Sequence, residues 1–70
     1  MEYVFVSFKK EKDRTVLANG IKLGQTNQTL LIIKGHHSFT LAGKQNYHPA
    51  KVDAVIQHTT SLNPYKVEFN

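Results

Sequence analysis

Cysteine is absent from this chain of 70 residues, so no disulfide framework can reinforce the fold and no thiolate can bind a metal. The longest unbroken apolar run, Leu30 to Ile33, is far too short to span a bilayer, and we expect no membrane span. The sequence opens without the basic and apolar regions of a signal peptide. We therefore expect a cytoplasmic protein if Met1 is the natural start, and a cell-envelope location if the chain is a fragment of a longer protein.

Recognisable reaction chemistry is lacking as well. No nucleophile-elbow, phosphate-loop or dinucleotide-binding pattern occurs, and the acidic residues show no pairing suited to acid–base catalysis. Of the four histidines, His36 and His37 are adjacent on an expected strand and must point to opposite faces. We therefore expect no catalytic residues, no metal site and no cofactor, and we expect that the protein is not an enzyme.

The length and composition favour one small folded domain over residues 1–70. Hydrophobic residues make up 40% of the chain and charged residues 20%, which is ordinary for a globular protein. A chain this short buries only roughly 60% of the surface that its unfolded form exposes. Small domains with so thin a core often gain stability by self-association.

The apolar residues recur at period two, which predicts strands, and no stretch shows the period of a helix. Asn19-Gly20 lies between two apolar runs and is the strongest short-range signal for a β-hairpin, because a type I′ turn needs positive φ at both central residues. We interpret Asn19, Gly20, Gly24 and Gly35 as structural turns. Six to seven short strands at close spacing predict a small antiparallel β-sandwich without substantial helix.

The order of these elements resembles a PEGA-type domain, a short β-sandwich module of bacteria and archaea. The family pattern places Asp/Asn-Gly, three residues, Gly-x-Thr-Pro, an aliphatic strand and then Gly-x-His in succession. This chain matches it with Asn19-Gly20, Gly24-Gln25-Thr26, Leu31, Ile33, Gly35-His36-His37, Phe39 and Leu41. The match covers about Thr15 to Phe69.

Two positions depart from the family pattern. Asn27 stands where the family usually has the proline of its naming motif, and Asn46-Tyr47 replaces a Gly-Tyr. The resemblance implies an Ig-like sandwich fold and a non-enzymatic accessory or interaction module. It also implies that His37 packs at a turn, as the family histidine does. Family members usually form part of larger envelope or surface proteins.

Two segments carry more apolar surface than one thin sandwich is expected to cover. The first strand is apolar on both faces, and the Leu30–Ile33 run has no polar side. We therefore predict a protein interface, most simply between copies in a homo-oligomer, with the chain's own loops as the alternative cover. The residues of this predicted interface are Tyr3, Phe5, Leu30 and Ile32.

The net charge of +4 supports a second hypothesis, a basic β-domain that binds single-stranded nucleic acid or another polyanion. Lysines near aromatic residues would make the contacts. Those lysines are Lys22, Lys44, Lys51 and Lys66. The local cluster of Lys9, Lys10, Lys12 and Arg14 is interrupted by acidic residues, and we interpret it as solvated loop charge.

Overall fold

Seven strands follow one another along the chain in a computed structural model that describes residues 1–11 and 13–70. They are β1 (Glu2–Phe8), β2 (Thr15–Ala18), β3 (Ile21–Gln25), β4 (Thr29–Ile32), β5 (Gly35–Leu41), β6 (Val52–Ile56) and β7 (Tyr65–Phe69). None of the described residues is helical, so the all-β prediction is confirmed. A long apolar helix of the kind that crosses a membrane is likewise not found among them.

The strands form two sheets that pack into a small sandwich. One sheet has three strands in the order β4-β1-β7, and the other has four in the order β3-β2-β5-β6. Every strand pair is antiparallel except β1 with β7, which run parallel and place Val6 opposite Val67. The prediction of a small antiparallel β-sandwich is confirmed, and this one pair departs from it. The sequence carried no signal for it, because period two is the same in both pairing modes.

The core lies between the sheets and is built from alternate residues of the strands, as period two requires. Phe8, Phe39 and Phe69 are fully buried at its centre, and burying each such side chain stabilises the fold by about 1.5–3 kcal/mol. The buried apolar residues are Val4, Val6, Phe8, Val16, Ala18, Leu30, Ile32, Phe39, Leu41, Tyr47, Ala54, Ile56, Val67 and Phe69.

Leu30 and Ile32 belong to this core, so their prediction as interface residues is wrong. The pairing with β1 sets Leu30 opposite the buried Val4, and both side chains point inward. Their neighbours Leu31 and Ile33 are exposed instead. An unbroken run of aliphatic residues has no polar positions to mark its outer face, and only the register with β1 decides which half is buried.

The predicted hairpin at Asn19-Gly20 is confirmed. The φ angles are 54° and 80°, as a type I′ turn requires, and Ala18 pairs with Ile21 across it. Gly35 also has positive φ, at 136°, but it is the first residue of β5 and pairs with Ile56. Gly24, however, is not a turn residue but lies within β3. A Cβ atom there would come within 2.6 Å of Leu30 Cδ2, so the glycine makes room for a core side chain.

The start of β1 is tied to the segment before β7 by Glu2 and Thr59. Glu2 Oε1 accepts hydrogen bonds from the Thr59 N–H at 2.9 Å and from the Thr59 hydroxyl at 2.6 Å. The Tyr3 N–H donates to Thr59 Oγ1 at 2.7 Å. These bonds favour the ionised carboxylate, and the pKa of Glu2 lies below its ordinary value of 4.5 chiefly because of the Thr59 hydroxyl.

This link makes stability depend on pH in acid. Because folding lowers the pKa of Glu2, its contribution is complete above the unfolded value near 4.5 and is lost as the pH falls through the lower folded value. We expect Glu2→Gln to lose less free energy of unfolding than the wild type between neutral pH and strong acid. Urea unfolding followed by circular dichroism measures this. The control Glu68→Gln, at an exposed position, should keep the wild-type dependence of the free energy of unfolding on pH. The same dependence in both variants would contradict the assignment of the effect to Glu2.

Candidate interaction surface

The outer surface of the three-stranded sheet carries an exposed apolar strip. Tyr3 lies directly opposite Leu31 on the neighbouring strand, and Phe5 follows on the same side of β1. Leu31 keeps 52% of its surface exposed, and the two aromatic residues are half-buried. We call these three residues the apolar face. Ile33, just beyond the end of β4, is exposed beside it.

The position of β1 in the middle of its sheet fixes this surface. Val4, Val6 and Phe8 are fully buried, and successive side chains of a strand point to opposite sides. Tyr3 and Phe5 must therefore lie on the outside of the sandwich. The two predicted interface residues Tyr3 and Phe5 therefore lie on one surface. Their neighbour from β4 is Leu31, because Leu30 and Ile32 are buried.

Polar groups border the apolar face at one end. Ser7 is opposite Glu68, and Phe5 is opposite both Thr29 and Lys66. The outer surface of this sheet thus changes from apolar to charged along β1. An apolar centre with a charged rim is the usual composition of a protein interface.

The outer surface of the four-stranded sheet differs, because polar and charged side chains interrupt it. The Ser38 hydroxyl donates to Asp53 Oδ1, and this bond is the main cause of a lowered Asp53 pKa. Lys51 Nζ lies 3.9 Å from Asp53 Oδ2. His36 is exposed on the same surface, opposite Val55. Asp53, Lys51 and His36 are exposed, and Asp53 contacts both Ser38 and Lys51, which is typical of a solvated surface.

The four lysines of the polyanion hypothesis do not share one surface. Lys66 lies on the three-stranded sheet beside Phe5. Lys22 and Lys51 lie on or beside opposite edge strands of the other sheet, and Lys44 lies in the loop after β5. No aromatic and basic surface is therefore assembled from this set, and polyanion binding stays a prediction.

The two adjacent histidines have different environments. His37 is buried and packs beside the hairpin, as the resemblance implied. Its Nε2–H donates to the Ile33 carbonyl at 2.8 Å, and its Nδ1 accepts from Asn19 Nδ2 at 3.1 Å. The described residues contain no group of three or more histidine and acidic side chains placed to hold a metal ion.

The structural role of Arg14 was not predicted from the sequence. Its side chain is only 11% exposed, and its guanidinium lies 5.7 Å from the ring centres of both Phe8 and Tyr47. It donates to the carbonyls of Ala42 and Lys44 in the following loop. The interpretation of Arg14 as solvated charge is therefore wrong. Lys12, to which the same interpretation was applied, lies outside the described residues.

No pocket is found in the described part of the chain. Comparison with protein-family models, with curated proteins and with solved structures finds no match to this chain. The apolar face is accordingly identified from its own geometry.

Proposed function

We propose that this protein is a non-enzymatic binding and assembly module that associates with other copies of itself through the apolar face. The observation that carries the proposal is the exposure of Leu31 beside Tyr3 and Phe5 on the outside of a regular sheet. The chain's own loops, the alternative cover, leave 52% of Leu31 exposed.

The energetic argument for association is the apolar area that remains in water. Burying a side chain the size of leucine or phenylalanine against a partner contributes up to about 1.5–3 kcal/mol, part of which offsets the loss of translational and rotational freedom. A module of this kind agrees with what the PEGA-type resemblance implies. The cytoplasmic or envelope setting remains a prediction.

Phe5→Lys tests this proposal directly. The added charge would lie within the apolar face, where association through that face would remove an unpaired lysine from water. We expect the wild type to self-associate at micromolar concentration and the variant to associate at least about tenfold more weakly, a change of about 1.4 kcal/mol. Sedimentation velocity and light scattering measure the association, and circular dichroism checks that the fold is intact.

The matched control is Thr40→Lys, which adds the same charge to a half-buried outward position on the other sheet. It should associate like the wild type. A wild type that is strictly monomeric, or a folded Phe5→Lys protein that associates as strongly as the wild type, would contradict the proposal.

A further inference from the structure

The four strands at the edges of the two sheets differ in charge. β3 contains Lys22, β6 contains Asp53, and β7 contains both Lys66 and Glu68. β4 contains no charged residue, and neither does the whole stretch from Gln25 to Ile33. Edge strands usually carry charges that prevent pairing with another chain. β4 is therefore the edge at which two copies of this protein, whose net charge is +4, could meet without bringing like charges together.

The backbone of β4 is also oriented correctly for pairing with a second copy. The Val6 carbonyl accepts from Asn27 N–H on the β4 side of β1, whereas the Tyr3 N–H points to Thr59 on the other side. Alternate residues of a strand direct their backbone groups to opposite sides. Tyr3 therefore directs neither its N–H nor its C=O toward its partner Leu31. The N–H and C=O of Leu31 consequently point to the open edge of the sheet.

We infer that two copies of the chain pair antiparallel through β4, around a two-fold axis at Leu31. This inference rests on the proposed function, takes a second copy as the partner and places the contact at the β4 edge of the apolar face. Leu31 meets Leu31 of the second copy and exchanges both backbone hydrogen bonds with it. The two three-stranded sheets then become one continuous sheet.

This register also places the two apolar faces side by side on one surface of the joined sheet. Tyr3 lies beside Leu31, so a continuous apolar row crosses the axis from one tyrosine to the other. Thr29 lies opposite Ile33 of the second copy, and Lys34 lies opposite the uncharged Gln28. The pairing is isologous, as a closed dimer requires, and it brings no like charges face to face along β4.

Disulfide cross-linking tests the register, because the chain has no cysteine of its own. Directly opposed residues have Cα atoms about 5.5 Å apart, which is within the range of a disulfide. We expect Leu31→Cys to form a covalent dimer on mild oxidation at least about tenfold faster than Thr40→Cys on the other sheet, because pairing holds the two thiols at an effective concentration near millimolar.

A second pair of variants checks the alignment. In this register, Ile33 of one copy lies about 13 Å from Ile33 of the other, since four strand residues separate them along the edge. Neither Ile33→Cys nor Thr29→Cys should cross-link quickly alone. A mixture of the two should, because Thr29 lies opposite Ile33 of the second copy. Gel electrophoresis without reductant gives the rates, and circular dichroism of the reduced proteins confirms folding.

The outcomes separate this inference from the proposed function. If Leu31→Cys cross-links no faster than Thr40→Cys while the wild type sediments as a dimer, edge pairing is wrong and self-association stands. Fast cross-linking of Ile33→Cys alone would also overturn the register. If the wild type sediments only as a monomer, both the pairing and the proposed function fail.

Discussion

Asn27→Pro is expected to leave much of the protein unfolded. Asn27 has φ of 62°, whereas proline is fixed near about −65°. Its N–H donates to the Val6 carbonyl at 2.7 Å, and proline has no N–H. The Asn27 side chain also accepts from the Phe8 N–H and donates to the Phe8 carbonyl, both at 3.1 Å. All of these interactions connect the turn before β4 to the end of β1.

The expected loss exceeds about 3 kcal/mol, because the hydrogen bonds contribute about 1 kcal/mol each and the backbone strain adds about 1–3 kcal/mol. Typical stability per residue gives a domain of this size roughly 4–10 kcal/mol in total. Urea unfolding followed by circular dichroism measures the loss, or shows directly that the folded state is no longer the major species.

Asn27→Gly is the matched control. Glycine accepts positive φ without strain and keeps the N–H, so only the side-chain hydrogen bonds are lost. We expect this variant to lose about 1–2 kcal/mol and to remain folded. An Asn27→Pro protein as stable as Asn27→Gly would contradict the positive φ and the backbone hydrogen bond of Asn27. The proline of the family pattern could not adopt this conformation, so the chain builds its turn differently from a Thr-Pro sequence.

Arg14→Met is expected to give the second large effect. The methionine keeps an apolar side chain beside the Phe8 and Tyr47 rings but removes every guanidinium hydrogen bond. The carbonyls of Ala42 and Lys44 lose their charged donor. Such bonds contribute about 1.5–3 kcal/mol each, and water replaces part of this in a surface loop. We expect a net loss of about 2–3 kcal/mol in the free energy of unfolding.

Two further variants show whether the planar geometry of the guanidinium is responsible for this loss of stability. Arg14→Lys keeps the charge but offers no planar fork, and we expect it to recover less than half of the loss. Lys10→Met removes one exposed hydrogen bond to the Asn46 carbonyl and should change stability by less than about 0.5 kcal/mol. Hydrogen exchange of the loop amides 42–46 should accelerate in both Arg14 variants. An Arg14→Met protein with wild-type stability and exchange would refute the structural role.

The Glu11–Arg14 ion pair is not the reason for this expectation. The two side chains are 2.7 Å apart, but Glu11 is 43% exposed, and pairs of this kind contribute about 0–1 kcal/mol. Glu11→Gln should therefore reproduce little of the Arg14→Met effect. The hydrogen bonds of Arg14 to the Ala42 and Lys44 carbonyls account for most of the expected change.

The candidate interface was predictable only in part. Tyr3 and Phe5 were identified because the first strand is apolar on both faces, and the burial of Val4 and Val6 places them outside. For the Leu30–Ile33 run, the sequence identified the segment but selected the wrong residues. The polyanion hypothesis began from net charge, which does not determine how lysines are distributed over a surface.

The sequence alone determined the strands, the hairpin at Asn19-Gly20 and the absence of helix among the described residues, because these depend on period two and on the φ preferences of neighbouring residues. The tertiary structure decided the parallel pairing of β1 with β7, the inward position of Leu30, the space that Gly24 leaves for it and the burial of Arg14. Most of these depend on residues far apart in the chain, and the approach of Leu30 to Gly24 depends on the packing of the two sheets that hold β4 and β3. Local propensity does not contain that information, since the register between strands is set only when the two sheets close over a common core.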